Sequence, residues 1–247
     1  METTKIIMGM PIIISIINAT EADMDAVFDY FHTVDARFST YKQESEMMRI
    51  NRSELSLDEC SIEMKEVLSL ANETQKETGG YFSITRPDGM IDPSGIVKGW
   101  AIRNAAKFVE EWGYDNYFLN VGGDIQSKGF DSNGDVWTVG IRNPFKLNEI
   151  IKVVYPHGNG VATSGNYIRG DHIYNPHLMD DKELCDIVSL TVVAPDVYEA
   201  DRFATAAFAM GKKGILFIEN LEGFEGYMID AKGIATMTTG FEKMTHD

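Results

Sequence analysis

The chain has 247 residues, 44% of them hydrophobic and 24% charged, and a formal net charge of -16. That length allows one large domain or two small ones. The acidic balance argues against nucleic acid, whose phosphates it would repel, and against a polybasic membrane contact. An anionic ligand must therefore be held locally, by a lysine, by backbone N–H groups or by a metal ion.

Residues 5–17 read as one buried strand. Lys5 followed by IIMGMPIIISII has some features of a secretory signal. However, Gly9 and Pro11 interrupt the apolar run, no convincing Ala-x-Ala site is present, and no cysteine follows it. The strand reading leads to an expected cytoplasmic location, with an extracytoplasmic one as the alternative. No other run is long enough to span a bilayer, so no stable membrane insertion is expected. Residues 23–38 predict a helix, with Met24, Val27, Phe28, Phe31 and Val34 on one face. A second helix is expected over 61–78, stopped by Gly79-Gly80, and a third over 97–112, stopped by Gly113.

A β-rich stretch follows, with strands expected at 117–120, 136–141, 150–155, 160–163 and 189–194. Residues 197–210 predict a fourth strong helix. Residues 215–219 form a short apolar run, and 226–229 with 234–238 read as a closing hairpin. The two cysteines, Cys60 and Cys185, lie far apart without a CxxC spacing; they read as reduced thiols and make no zinc site. No GxGxxG follows the first strand and no GxxxxGK[ST] occurs, which leaves no Rossmann or P-loop reading. The whole chain, 1–247, reads as one α+β domain: a mixed, mostly antiparallel sheet with packed helices.

Three blocks could carry chemistry. In the first, Gly95 stands before a helix and Lys98 and Gly99 in its first turn, and a strand follows that leads into Asn120-Val121-Gly122-Gly123-Asp124. Small residues beside one cation suit a phosphorylated ligand. The glycine pair could equally be a plain turn, and Lys98 a surface lysine. In the second, Asp201 and Thr205 lie four apart, so both oxygens fall on one helix face. A carboxylate and a hydroxyl are hard ligands suited to Mg²⁺. The flanking Ala200, Ala204, Ala206 and Ala207 permit close approach of a ligand or, equally, tight helix packing. In the third, residues 161–165 run from a strand into a turn, followed by Arg169, Asp171 and His172. A histidine there could act as a base near neutral pH, or be a loop residue that hydrogen-bonds locally. Tyr41 could stack on a base or simply pack.

Taken in order, these blocks resemble the FAD:protein FMN transferases, the ApbE-like flavin transferases. Met8-Gly9 is similar to the family's early MGT element, with Met10 where Thr is usual. Residues 34–51, VDARFSTYKQESEMMRIN, resemble its acidic-aromatic block. Residues 92–99 are similar to D-x-x-G-x-x-K-G, 120–124 to N-x-G-G-D, 161–176 to A-x-S-G…R…H-I-x-x-P, and 200–211 to A-D-x-x-A-T-A. The chain departs in being short between Phe82 and Asp92 and in lacking the lipoprotein cysteine of exported members.

The resemblance implies Mg²⁺-dependent transfer of FMN from FAD to a Thr or Ser hydroxyl of a partner protein, with release of AMP. It implies that Tyr41, Lys98, Gly99, Asn120, Gly122, Gly123, Asp124, Ser164 and Gly165 help bind FAD. Asp201, Thr205 and the backbone carbonyl of Ala162 would hold Mg²⁺, and His172 would be the base. Family acceptors resemble Asp-x-x-[Ser/Thr]-Gly-Ala-[Ser/Thr]. In this chain Thr163-Ser164-Gly165 and Thr238-Thr239-Gly240 are not followed by alanine, which argues against self-modification. Hydrolysis of FAD to FMN and AMP, or flavin binding without catalysis, are the alternatives.

Overall fold

The computed structural model describes residues 2–165, 177 and 186–245. The chain opens on a hairpin, not on the single strand expected over 5–17. β1 (Glu2–Ile7) and β2 (Met10–Ile16) pair antiparallel, with Ile7 opposite Met10. The turn residues Met8 and Gly9 both have positive φ, 55° and 71°, as a two-residue primed turn requires. Methionine rarely adopts that conformation, so the Met8-Gly9 pair did not read as a turn within the apolar run.

α1 (Glu21–Phe38) begins two residues before the expected start because Thr20 and Asp23 form a reciprocal capping box. Its buried face carries the expected stripe. α2 (Glu46–Asn51) is capped by the Ser45 side chain and was not anticipated; six residues are too few for periodicity to show. α3 (Ile62–Glu77) starts at its Ser61 cap. α4 (Ser94–Glu111) begins one turn earlier than expected, which places Gly95 as well as Lys98 inside the helix.

β3 (Tyr117–Val121) and β4 (Asp124–Lys128) make a second hairpin. β5 (Val139–Asn143) and β6 (Lys146–Val154) form a separate two-stranded ribbon. β7 (Gly160–Gly165), β8 (Ile187–Ala194), β9 (Glu225–Asp230) and β10 (Ala235–Met237) complete an eight-stranded sheet in the order β1-β2-β3-β4-β7-β8-β9-β10. Every described pairing in it is antiparallel, so the α+β class stands and the mixed character expected of the sheet does not appear in those pairings. α5 (Val197–Ala209) and α6 (Gly214–Glu219) lie between β8 and β9 in the chain.

Three apolar clusters hold these layers together. Ile12, Ile14, Ile16, Leu119 and Val121 meet the inner faces of α1, α3 and α4. Ala162, Leu190, Val192 and Met228 meet α5 and α6. On the other side of the sheet, Ile125, Val161 and Val193 pack under the ribbon residues Val139, Ile141 and Val154 and under Phe241. Alternation along β4 and β7 makes this possible: Ile125 and Val161 face the ribbon while Asp124, Gln126 and Ala162 face α5. α5 is the central helix, with eleven of its thirteen residues buried. Among the described residues no helix is long and apolar enough to cross a membrane.

Candidate functional site

α4 and α5 cross at two glycines. A Cβ on Gly99 would stand 2.7 Å from Asp201 Cβ and 2.9 Å from the Val197 carbonyl oxygen. One on Gly95 would stand 3.3 Å from Thr205 Cγ2. Two residues four apart on α4 thus meet two residues four apart on α5, running antiparallel: Gly99 opposite Asp201 and Gly95 opposite Thr205. The i, i+4 spacing expected to align Asp201 with Thr205 does so, and the same spacing on α4 supplies the clearance. The alanines of α5 are used for packing as well: Ala200, Ala204 and Ala207 lie in the cluster with Ala162, and a Cβ on Gly214 would run into the Ala207 carbonyl.

Strand β4 brings the second carboxylate. Asp124 is almost fully buried, and its Oδ2 lies 2.5 Å from Lys98 Nζ. The same Nζ stands 3.7 Å from Asp201 Oδ1. The Gly99 N–H donates to Asp201 Oδ2 at 2.8 Å, and the Thr163 N–H donates to Asp124 Oδ1 at 3.2 Å. Lys98, Gly99, Asp124 and Asp201 therefore form one contact group, with Thr205 a turn along α5 and Ala162 preceding Thr163 on β7. Burial pushes the Asp201 carboxyl up to about 7; Lys98 opposes the rise, the nearby Asp124 charge adds to it, and the Gly99 N–H opposes it.

Gln126 fixes the frame. Its Oε1 accepts the Val197 N–H, at the first residue of α5, at 2.9 Å, and its Nε2 donates to the Gly158 carbonyl ahead of β7 at 2.8 Å. A Cβ on Gly160 would stand 2.0 Å from the Val197 nitrogen, so β7 and the start of α5 are in direct backbone contact. Neither residue was among those expected, and β4 itself was not foreseen. DIQSK reads as polar, yet Asp124, Gln126 and Ser127 are all buried. The hydrogen-bond partners of Asp124 and Gln126 come from elements far away in sequence, so no local signal marks their burial.

The other expected residues are distributed around this group. Gly122 and Gly123, with φ of 61° and 105°, are the two turn residues between β3 and β4. Asn120 Oδ1 accepts the Gly123 N–H at 3.0 Å. The glycine pair is thus a hairpin turn, and it delivers Asp124 into the site on the next residue. Ser164 is buried on β7 and Gly165 ends that strand. Tyr41 is 93% exposed in the loop after α1 and, among the described residues, is not hydrogen-bonded to the Lys98 group. His172 lies outside the described residues, as do Arg169 and Asp171.

Among the described residues two buried carboxylates face one ammonium. Asp201 and Thr205 supply hard oxygen donors of the kind Mg²⁺ takes, and the donor set fits such an ion. Among the described residues no three His, Cys, Asp or Glu side chains gather into a metal-binding group. A cation here would fill its shell from a hydroxyl, a backbone carbonyl, water and substrate oxygens.

Residues 8–87 and 85–228 match the family model described as the ApbE family. The chain belongs to the ApbE family. Among curated members it is 31% identical to the FAD:protein FMN transferase of Escherichia coli K12, over 67% of this chain and 49% of that protein. It is 24% identical to the Haemophilus influenzae protein of the same name, over 94% of this chain and 86% of that one. The match to the E. coli relative thus spans about half of that protein's length. Among solved structures the fold superimposes on the flavin transferase ApbE of Vibrio cholerae with a TM-score of 0.84 at 21% identity, covering 99% of this chain and 98% of that one. It superimposes equally well on the ApbE protein of Thermotoga maritima, again with 0.84 at 21% identity, covering 100% and 99%. Likenesses at that identity establish the ApbE fold.

Proposed function

We propose that this chain transfers FMN from FAD to a Thr or Ser hydroxyl of a partner protein, in a Mg²⁺-dependent reaction that releases AMP. The observation that carries the reading is the sealed carboxylate pair at the α4–α5 crossing, with Thr205 one turn beyond Asp201. Membership of the ApbE family and the names of the curated relatives support it. Asp201, Thr205 and the Ala162 carbonyl would hold the ion, which when bound neutralises pyrophosphate charge.

In the reaction, the acceptor hydroxyl oxygen bonds to the FMN phosphorus and the bridging P–O bond breaks, leaving AMP. The hydroxyl proton passes to a base, assigned to His172. The Asn120–Asp124 hairpin, Gly99, Ser164 and Gly165 line the assigned FAD region, and Tyr41 is assigned to stacking on its ring system. Lys98 supplies a positive charge at the same place, which matters in a protein of net charge -16.

The test mixes purified protein, FAD and Mg²⁺ with and without an acceptor bearing the Asp-x-x-[Ser/Thr]-Gly-Ala-[Ser/Thr] motif, then weighs the acceptor. A gain of one FMN group with AMP release is expected. FAD cleavage with an unmodified acceptor would instead mean hydrolysis, and no cleavage a binding protein. His172→Ala is expected to bind FAD normally and lose transfer by about 10²–10⁴-fold; full activity in that variant would move the base elsewhere.

A further inference from the structure

We infer that Lys98 is the built-in counter-cation of this site: it holds the second oxygen of Asp201 when no divalent ion is bound, competes with that ion, and so sets the site's metal affinity. The inference rests on the functional reading above and adds a role for Lys98 beyond contact with FAD.

The geometry is asymmetric in an informative way. Each carboxylate has one oxygen tied to a backbone N–H of a neighbouring element, Asp201 Oδ2 to Gly99 and Asp124 Oδ1 to Thr163. The other oxygen of each faces Lys98 Nζ, at 2.5 Å for Asp124 and 3.7 Å for Asp201. Asp201 Oδ1 is therefore the oxygen left for an incoming cation, and an ammonium already stands beside it. The shorter contact anchors the lysine on Asp124, and the longer one to Asp201 is the one a cation can take over.

The arrangement has two consequences. Consecutive residues of α4 grip one carboxylate, Gly99 by its N–H and Lys98 by its charge, so Asp201 is oriented before any metal arrives. Preorganisation of this kind favours binding. A retained ammonium within a few ångströms of a divalent ion opposes it, because like charges in a poorly solvated site repel strongly. Lys98 thus trades metal affinity for a site that stays ordered when empty.

The test titrates Mn²⁺ alone into FAD-free protein at pH 8.5, where protons compete least for the carboxylates, and follows free Mn²⁺ by electron paramagnetic resonance. Wild type, Lys98→Met and Asp201→Asn are compared. Lys98→Met is expected to bind at least about tenfold more tightly than wild type, and Asp201→Asn to lose binding. Equal or weaker binding by Lys98→Met, with wild type still dependent on Asp201, would overturn the role of Lys98 and leave the metal reading intact. No Asp201-dependent binding in wild type would overturn both. Should Lys98→Met fail to fold, a crystal structure of the wild type with Mn²⁺ decides. Nζ is expected to keep Asp124 and leave Asp201; an unchanged lysine with the ion in place would refute the inference.

Discussion

Asp201 and Arg202 are neighbours on α5 and each belongs to a charged cluster, but the two clusters behave differently. Arg202 reaches towards α3, where it pairs with Glu77 and hydrogen-bonds to Thr74; on its own helix it pairs with Glu199 at 2.6 Å and lies 4.1 Å over the Phe203 ring. Asp201 reaches towards α4 and β4, where it shares Lys98 with Asp124. Among the described residues both clusters contain two carboxylates and one cation. They differ in solvent access: the Glu77 and Glu199 side chains are 51% and 25% exposed, those of Asp124 and Asp201 only 2% and 6%. Water screens the surplus charge of the first cluster, which can serve as a clamp between helices. Among the described residues the second is largely closed to water, which makes it the one suited to a cation.

The largest expected effect breaks the buried cluster. Asp201→Asn keeps an acceptor for the Gly99 N–H but removes the charge, so metal-dependent activity is expected to vanish. Metal-free stability should move the opposite way. The Asp201 carboxyl is raised from 3.8 to about 7, so its contribution is fully present below about pH 4 and is lost as pH rises through about 7. A rise of about three units sets a ceiling of about 4 kcal/mol on that loss. Urea unfolding at pH 8 without metal should find the asparagine variant more stable, with a flatter profile between pH 4 and 7. A less stable variant would mean that Lys98 already compensates the pair in full.

Arg202→Met addresses the other cluster. It removes a half-screened clamp between α3 and α5 and should cost about 2–3 kcal/mol in urea unfolding, less than breaking a fully buried pair. Mn²⁺ affinity of the folded protein should not change. A large change in affinity would show that the two faces of α5 are coupled and that the contrast between them is too sharp.

The smallest effect is expected from Gly99→Ala, which tests how closely the helices must approach. The added methyl would meet backbone at the Val197 carbonyl as well as Asp201 Cβ, so relief requires the helices to part. About 1–3 kcal/mol of stability should be lost, together with weaker Mn²⁺ binding as Asp201 moves off its N–H donor. Unchanged affinity would mean that the carboxylate follows α4 rather than α5.

Much of this molecule could be read locally. The apolar stripes of α1, α3, α4 and α5 have helical spacing, their N-caps are serine, threonine or aspartate in most cases, and glycines mark the ends of α3, α4 and α5. The Asp201–Thr205 pair was legible because a helix places i and i+4 together whatever else surrounds it. The Asn120-Val121-Gly122-Gly123-Asp124 run was visible too, but its arrangement was not: the glycines turn a hairpin and the aspartate is buried on the next strand. Met8-Gly9 concealed a turn because its first residue is one that seldom takes positive φ.

By itself, the sequence determined the long helices, most of the strands and the placing of Asp201 and Thr205 on one helix face, since these depend on neighbours within a few residues. Only the tertiary structure decided that Lys98 would stand between Asp124 and Asp201, that Gly99 would make room for the carboxylate, and that polar β4 would be an interior strand. Those outcomes depend on burial and on partners 39 and 102 residues away in the chain. A carboxylate's partners and its exclusion from water are set only when distant elements pack, and those two conditions determine what its charge can do.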